Sequence, residues 1–78
     1  MIKTVDRKFY RELGQAIHDR RKEKRMSLRD LAKVVGCSAQ MLDNYEMGLA
    51  KIKDSMLDKI CDALDISNLI TVEVKLGL

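Results

Sequence analysis

The chain of 78 residues contains no proline and no tryptophan, a single histidine and only two cysteines. The lack of proline, together with four widely spaced glycines, favours helices joined by short turns. No apolar run approaches the ~20 residues that a membrane-spanning helix needs, and the first residues lack the apolar core of a secretory signal peptide. We therefore expect one small domain over residues 1–78, in a cytoplasmic protein that does not span a membrane.

The few residues suited to catalysis or metal binding are scattered. Cys37 and Cys61 lie among apolar residues at helical spacing, so we expect two small buried core residues and no metal site. His18 follows Ile17 on a basic amphipathic segment, and no serine, cysteine or carboxylate arrangement lies near it in the motif. Because there is no glycine-rich phosphate loop either, the sequence predicts no enzyme, no catalytic residue and no cofactor.

Positive charge is concentrated near the start of the chain. Residues 3–25 hold nine Lys and Arg against four Asp and Glu, a net charge of +5, whereas the later residues hold six against eight, a net charge of −2. The cationic run at residues 20–25 would be solvated or would face a polyanion. The charge pattern therefore admits nucleic acid as a partner without requiring it.

Apolar residues at helical spacing predict four successive helices. The first runs to about Lys24, the second stops at Gly36 and the third ends near Gly48. The candidate N-terminal caps are Asp6 for the first helix, Ser27 with Asp30 for the second, Ser38 for the third, and Asp54 or Ser55 for the fourth.

The end of the chain changes to a period of two. Ile70, Val72, Val74 and Leu76 alternate with other residues, which predicts one β-strand over about residues 69–76. A lone strand is not stable, so it needs a partner. That partner is either residues 2–5 of the same chain or the same strand of a second subunit, and the second arrangement would make a homodimer.

The second and third helices have the spacing of a helix-turn-helix over about residues 27–48. Ala32 is small where the two helices must cross, and Gly36 permits the left-handed backbone of a short turn. Leu31, Leu42 and Tyr45 are apolar where the helices must pack together.

Residues 13–66 resemble the phage repressor and Cro family of helix-turn-helix proteins. The motifs that carry the resemblance are Ser27-x-x-Asp30-Leu31-Ala32, Gly36-Cys37-Ser38, Tyr45-Glu46-x-Gly48 and Ala63-Leu64-Asp65-Ile66-Ser67. The resemblance implies an all-α, lambda-repressor-like domain of four to five helices, to which the predicted C-terminal strand is added. It also implies transcriptional control by a dimer, with the third helix as the recognition helix in the major groove.

The resemblance also assigns roles to single residues. The family's buried ion pair would fall on Arg21 and Glu46, and the base-reading positions on Ala39, Gln40 and Asn44. Gln and Asn amides both donate and accept hydrogen bonds, which suits an adenine edge, and Ala can contact a thymine methyl group. The candidate phosphate contacts are Ser38, Arg29, Lys33, Lys51 and Lys53.

Several residues near the predicted recognition surface depart from the family. Leu28, Met41, Met47 and Leu49 are apolar where family members are commonly polar, and Asp43 and Asp54 add negative charge. Losing phosphate contacts weakens DNA binding, and an exposed apolar patch is typical of a protein interface. The four apolar residues are therefore either a protein interface or side chains that are simply buried.

Two helix ends depart from the family as well. Arg25 and Asp65 stand where a glycine often ends the first and fourth helices. Because Asp tolerates left-handed backbone better than Arg does, we expect the first helix to close in a different way.

Two functions fit these observations. The first is a sequence-specific DNA-binding transcriptional regulator that recognises a double-stranded operator as a homodimer through the C-terminal strand. The alternative is a helix-turn-helix protein that binds another protein, such as an anti-repressor or modulator docking on a phage repressor. The surface of Leu28, Met47 and Leu49, which is polar in most DNA readers, distinguishes the two.

Overall fold

Four α-helices form the part of the protein that the computed structural model describes, residues 4–66, with side chains from residue 7. Helix α1 spans Thr4–Glu23, α2 Leu28–Val35, α3 Ala39–Glu46 and α4 Asp54–Leu64. No strand occurs within residues 4–66, so the predicted all-α class is confirmed for that range. The predicted strand at residues 69–76 lies outside the described residues, and so does the same strand of a second subunit. Of the other suggested partner, residues 2–5, only residues 4 and 5 are described, and they belong to α1.

Two predicted caps are wrong. Asp6 lies inside α1, because the backbone is already helical at Thr4. The N-cap of α4 is Lys53, which makes no side-chain capping bond, and Asp54 and Ser55 are the first residues of the helix. Asp54 is still favourable there, since a carboxylate in the first turn of a helix interacts well with the positive end of the helix dipole.

The core lies where all four helices meet. Leucine, isoleucine and valine side chains from each helix are almost completely removed from solvent, and this burial is the main favourable contribution to folding. The most deeply buried are Leu13, Ile17, Leu31, Val35, Leu42, Ile60 and Leu64.

Helix α1 approaches the end of α3 very closely. A Cβ atom on Gly14 would lie 2.3 Å from the carbonyl oxygen of Tyr45 and 2.5 Å from that of Glu46. A Cβ atom on Gly48, whose φ is 73°, would lie 2.6 Å from the Cα of Arg11. Two glycines therefore set the distance between α1 and the C-terminal end of α3.

The expectation that α1 ends in a different way from the family's glycine-ended helix is wrong. Arg25 adopts the left-handed backbone that a glycine would take, with φ 57°, and Asp65 does the same after α4 with φ 52°. The N–H groups of Arg25 and Met26 donate to the carbonyls of Lys22 and Arg21 at 3.0 and 3.1 Å. Left-handed geometry at residue 25 thus satisfies carbonyls that the end of the helix would otherwise leave without partners.

The two cysteines are free and half-buried, more exposed than the fully buried positions that the sequence predicted. Both pack against the core. Loss of solvation on burial raises the pKa of each thiol, and Asp58 and Asp62 raise that of Cys61 further. Both therefore remain protonated thiols at neutral pH.

No helix in residues 4–66 is both long enough and apolar enough to cross a bilayer. The same range holds no group of three or more His, Cys, Asp or Glu side chains placed to bind a metal ion.

Candidate nucleic-acid interface

Helix α2 begins and ends at residues suited to those positions. The Ser27 hydroxyl accepts a hydrogen bond from the N–H of Asp30 at 3.0 Å, and the Asp30 carboxylate accepts one from the N–H of Ser27 at 3.2 Å. Hydrogen bonding to the Asp30 carboxylate from the backbone N–H of Ser27, and then from its side chain, lowers the pKa of Asp30, because it favours the charged form. At the other end Gly36 has φ 80°, and its N–H donates to the carbonyl of Ala32.

Helix α3 follows after a short turn. The Ser38 hydroxyl caps it by accepting a hydrogen bond from the N–H of Met41 at 3.0 Å. Leu42, Tyr45 and Glu46 are its buried residues, so the opposite side of α3 faces solvent. The two capped helices of eight residues each, joined through a left-handed glycine, have the form of a helix-turn-helix.

The three predicted base-reading residues lie on one side of α3. Ala39 and Gln40 are exposed and Asn44 is half-buried. The Nε2 of Gln40 donates to the Oδ1 of Asn44 at 3.2 Å, which joins the two amides one turn apart. The oxygen of Gln40 remains as an acceptor and the amide nitrogen of Asn44 as a donor, so the pair offers both kinds of hydrogen-bonding group.

A buried ion pair ties α1 to the end of α3. The Nε of Arg21 lies 2.7 Å from Oε2 of Glu46, and its Nη2 lies 3.0 Å from Oε1. Both residues are more than nine-tenths buried. The hydrogen bond to Glu46 raises the pKa of Arg21, and the Nη1 of Arg21 also donates to the carbonyl of Met26 at 2.8 Å. The structure thus brings together the two residues predicted to pair.

His18 has a carboxylate partner that the sequence motif did not reveal. Its Nδ1 lies 2.9 Å from Oε1 of Glu46, so the expectation that no carboxylate arrangement lies near this histidine is wrong. The two residues are 28 positions apart, and only the crossing of α1 over α3 brings them together. The spacing of three between His18 and Arg21, which places both on one face of a helix, was the available signal.

The predicted phosphate contacts surround the helix-turn-helix. Arg29 and Lys33 are exposed on α2, and Lys51 and Lys53 are exposed just before α4. Ser38 is exposed at the start of α3, where its hydroxyl already accepts the capping hydrogen bond. The structure places all five residues at the surface.

The four predicted interface residues separate into two groups. Met41, Met47 and Leu49 are 42%, 56% and 63% exposed, at or just beyond α3. Leu28 is half-buried and packs against the core, so it contributes less to an apolar surface than expected. Val34, which was not among the predicted interface residues, is 65% exposed because it lies on the side of α2 opposite Leu31 and Val35.

Comparisons with known proteins agree with this geometry. Residues 17–67 match the family described as Helix-turn-helix. Two crystal structures of the clp gene regulator ClgR from Corynebacterium glutamicum are similar to this chain, each with a TM-score of 0.76 and 28% sequence identity. Each match covers 87% of this chain, and 71% or 86% of the ClgR chain. The comparison with curated proteins gives no match.

Proposed function

The chain belongs to the helix-turn-helix family of the repressor and Cro type, and we propose that it is a transcriptional regulator that reads a specific DNA sequence with α3. The observation that carries this proposal is the joined amide pair of Gln40 and Asn44 on the solvent side of a capped helix. The likeness to ClgR, a clp gene regulator, supports the same class of function.

The amide pair suits direct readout of base edges. In the major groove an adenine offers one acceptor and one donor, which an Asn or Gln amide matches with two hydrogen bonds. Because Gln40 and Asn44 are hydrogen-bonded to each other, each holds the other in one orientation before DNA arrives. Ala39, exposed one residue earlier, is small enough to meet a thymine methyl group, so we expect a site rich in A·T pairs.

Phosphate contacts supply most of the affinity in this proposal. Arg29, Lys33, Lys51 and Lys53 are exposed cations on the elements that flank α3, and Ser38 lies at its start. Two subunits would bind a two-fold related operator with half-sites about one helical turn apart. The regulator would act in the cytoplasm by binding alone, without catalysis or a cofactor.

A DNA titration tests the proposal. The protein is added to labelled duplex from the region upstream of its own gene, and fluorescence anisotropy is followed at several salt concentrations with scrambled duplex as competitor. We expect sequence-selective binding that weakens steeply with salt. Gln40→Ala and Asn44→Ala should each reduce selectivity by about 1–3 kcal/mol while leaving the salt dependence unchanged. Binding no tighter than to scrambled duplex would contradict the proposal.

A protein-docking function is the second candidate, supported by the exposure of Met41, Met47 and Leu49 around α3. In this role the chain would be an anti-repressor or modulator that covers a phage repressor. The test is a titration of the protein against the repressor encoded beside it, with Met47→Lys and Leu49→Lys as variants. Tight binding that both variants abolish, without loss of helix, would favour this role over DNA recognition.

A further inference from the structure

Three exposed cations lie beside the helix-turn-helix. Lys22, Arg25 and Arg29, here called the basic corner, are all exposed, and they lie between the last turn of α1 and the first turn of α2. None of the three forms an ion pair within residues 4–66. Their basic neighbours are engaged: Arg20 with Glu23 and the Leu64 carbonyl, Arg21 with Glu46, and Lys24 with Asp65.

Arg25 is the least expected member of the basic corner. Its φ of 57° places it in the left-handed region, where a residue with a Cβ atom is less stable than glycine. Its side chain makes no hydrogen bond in the described part of the chain that would compensate. The turn that ends α1 uses left-handed backbone at this position, but it does not need an arginine there, so the choice of this side chain points to a role other than closing the helix.

The basic corner has a fixed position relative to α3. Arg21 lies beside Lys22 in the chain, and its guanidinium group donates both to the carbonyl of Met26 and to the carboxylate of Glu46, the last residue of α3. The segment that carries Arg25 is therefore fastened to the recognition helix by one buried side chain. When α3 enters a groove, the basic corner is held at a set distance from it.

We propose that the basic corner binds the phosphate backbone of the duplex beside the groove that α3 occupies. The inference rests on the proposed DNA-binding function and adds Lys22 and Arg25 to its phosphate contacts, which already include Arg29. The arginine guanidinium groups match phosphate oxygens with two parallel hydrogen bonds, and the lysine adds a point charge. The nearby carboxylates are already engaged, Glu23 at 3.9 Å from Arg20 and Asp30 in the capping box. These contacts compensate for the phosphate contacts that the apolar side chains of Leu28 and Met47 cannot make.

The test compares single variants of the full chain in the anisotropy titration, on the upstream duplex and on scrambled duplex. Arg25→Asn removes the charge but keeps a residue that tolerates left-handed backbone, and Arg25→Lys keeps the charge. Lys59→Gln is the matched control, because Lys59 is an exposed cation on α4 outside the basic corner. Circular dichroism melting shows that each variant is folded.

We expect Arg25→Asn to weaken binding to both duplexes about three- to tenfold and to reduce the slope of log affinity against log salt by about one. Arg25→Lys and Lys59→Gln should keep the wild-type slope. If Arg25→Asn also keeps that slope while the wild type binds the upstream duplex selectively, the basic corner does not bind phosphate, and the DNA-binding function stands. If the wild type shows no salt-dependent binding to either duplex, both proposals fail together.

Discussion

Helix α1 meets α3 and α4 in two different ways. Against α3 its backbone comes so close that Gly14 leaves no space for a Cβ atom, and the charges of Arg21 and Glu46 are buried together. Against the end of α4 the polar contacts lie nearer the surface. Lys24 reaches the exposed carboxylate of Asp65 at 2.7 Å, and Arg20 donates to a backbone carbonyl at 2.9 Å.

This difference shows how strictly the position of each helix relative to α1 is fixed. A buried pair with two hydrogen bonds and a contact between backbones each permit one geometry, since a small displacement leaves a charge unpaired or produces a clash. An exposed ion pair is weakened by water and salt, and it can be lost at little cost. The orientation of α3, the proposed recognition helix, is therefore fixed more strictly than the outer end of α4.

Removing the carboxylate of Glu46 should have the largest effect. Glu46→Met leaves the guanidinium group of Arg21 buried without its ionic partner, and breaking a buried pair in this way costs about 3–5 kcal/mol. The free energy of unfolding is measured by urea denaturation at neutral pH. A cost below about 1 kcal/mol would mean that the pair behaves like a surface ion pair.

The double variant Arg21→Met with Glu46→Met is the control for that prediction. It removes both charges and leaves apolar side chains of similar size, so no unpaired charge remains buried. We expect the double variant to be more stable than Glu46→Met alone. If the cost of the double variant equals the sum of the costs of Arg21→Met and Glu46→Met measured separately, the loss in Glu46→Met comes from packing and not from the unpaired charge.

Adding one methyl group at Gly14 should have the next largest effect. In an ordinary helix Gly→Ala increases stability by about 1 kcal/mol. Here the new Cβ would lie 2.3 Å from the Tyr45 carbonyl oxygen, and backbone atoms cannot move aside as a flexible side chain can. We expect Gly14→Ala to reduce stability by about 1–3 kcal/mol, measured by thermal and urea denaturation. A gain in stability would show that α1 and α3 can move apart.

Gly36→Ala separates backbone strain from close contact. Gly36 has φ 80°, but a Cβ atom there would meet nothing within 4 Å. Its cost, about 1–2 kcal/mol, therefore reports the left-handed backbone alone. Gly36→Ala should leave the distance between α1 and α3 unchanged, so it should affect DNA binding less than Gly14→Ala does.

Much of this fold could be predicted from local sequence patterns. Ser27, Asp30, Gly36 and Ser38 act within three or four residues of their partners, so caps and turns of this kind are visible along the chain. The start of α4 could not be predicted in this way. A serine and an aspartate were both available there, but the helix begins after Lys53 with no side-chain cap at all.

The candidate site depends more on contacts between distant residues. The pairing of Arg21 with Glu46 was implied by family resemblance, since residues 25 positions apart give no periodic signal. His18 was missed because its signal is indirect: it lies three residues before Arg21, the residue that the resemblance pairs with Glu46. The exposure of single side chains could not be predicted from the sequence either. Leu28 and Met47 are both apolar, but packing in the fold leaves Leu28 half-buried and Met47 56% exposed.

Removing the charge of Asp65 should have the smallest effect, and this effect should depend on pH. Asp65→Asn keeps a residue that tolerates left-handed backbone but gives up the ion pair with Lys24. The hydrogen bond from Lys24, and then its charge, lower the pKa of Asp65 in the folded protein. The unfolded chain therefore binds this proton more readily, so the stabilisation is present at neutral pH and is lost as the pH falls through the lowered folded-state pKa.

Urea denaturation of wild type and Asp65→Asn over a range of pH, at low and high salt, measures this contribution as a difference. Asp30, whose pKa is also lowered, titrates in both proteins and cancels from the difference. We expect a small difference at neutral pH that shrinks in acid and in high salt. A difference that stays constant with pH, or one as large as that for Glu46→Met, would mean that α1 holds the end of α4 as strictly as it holds α3.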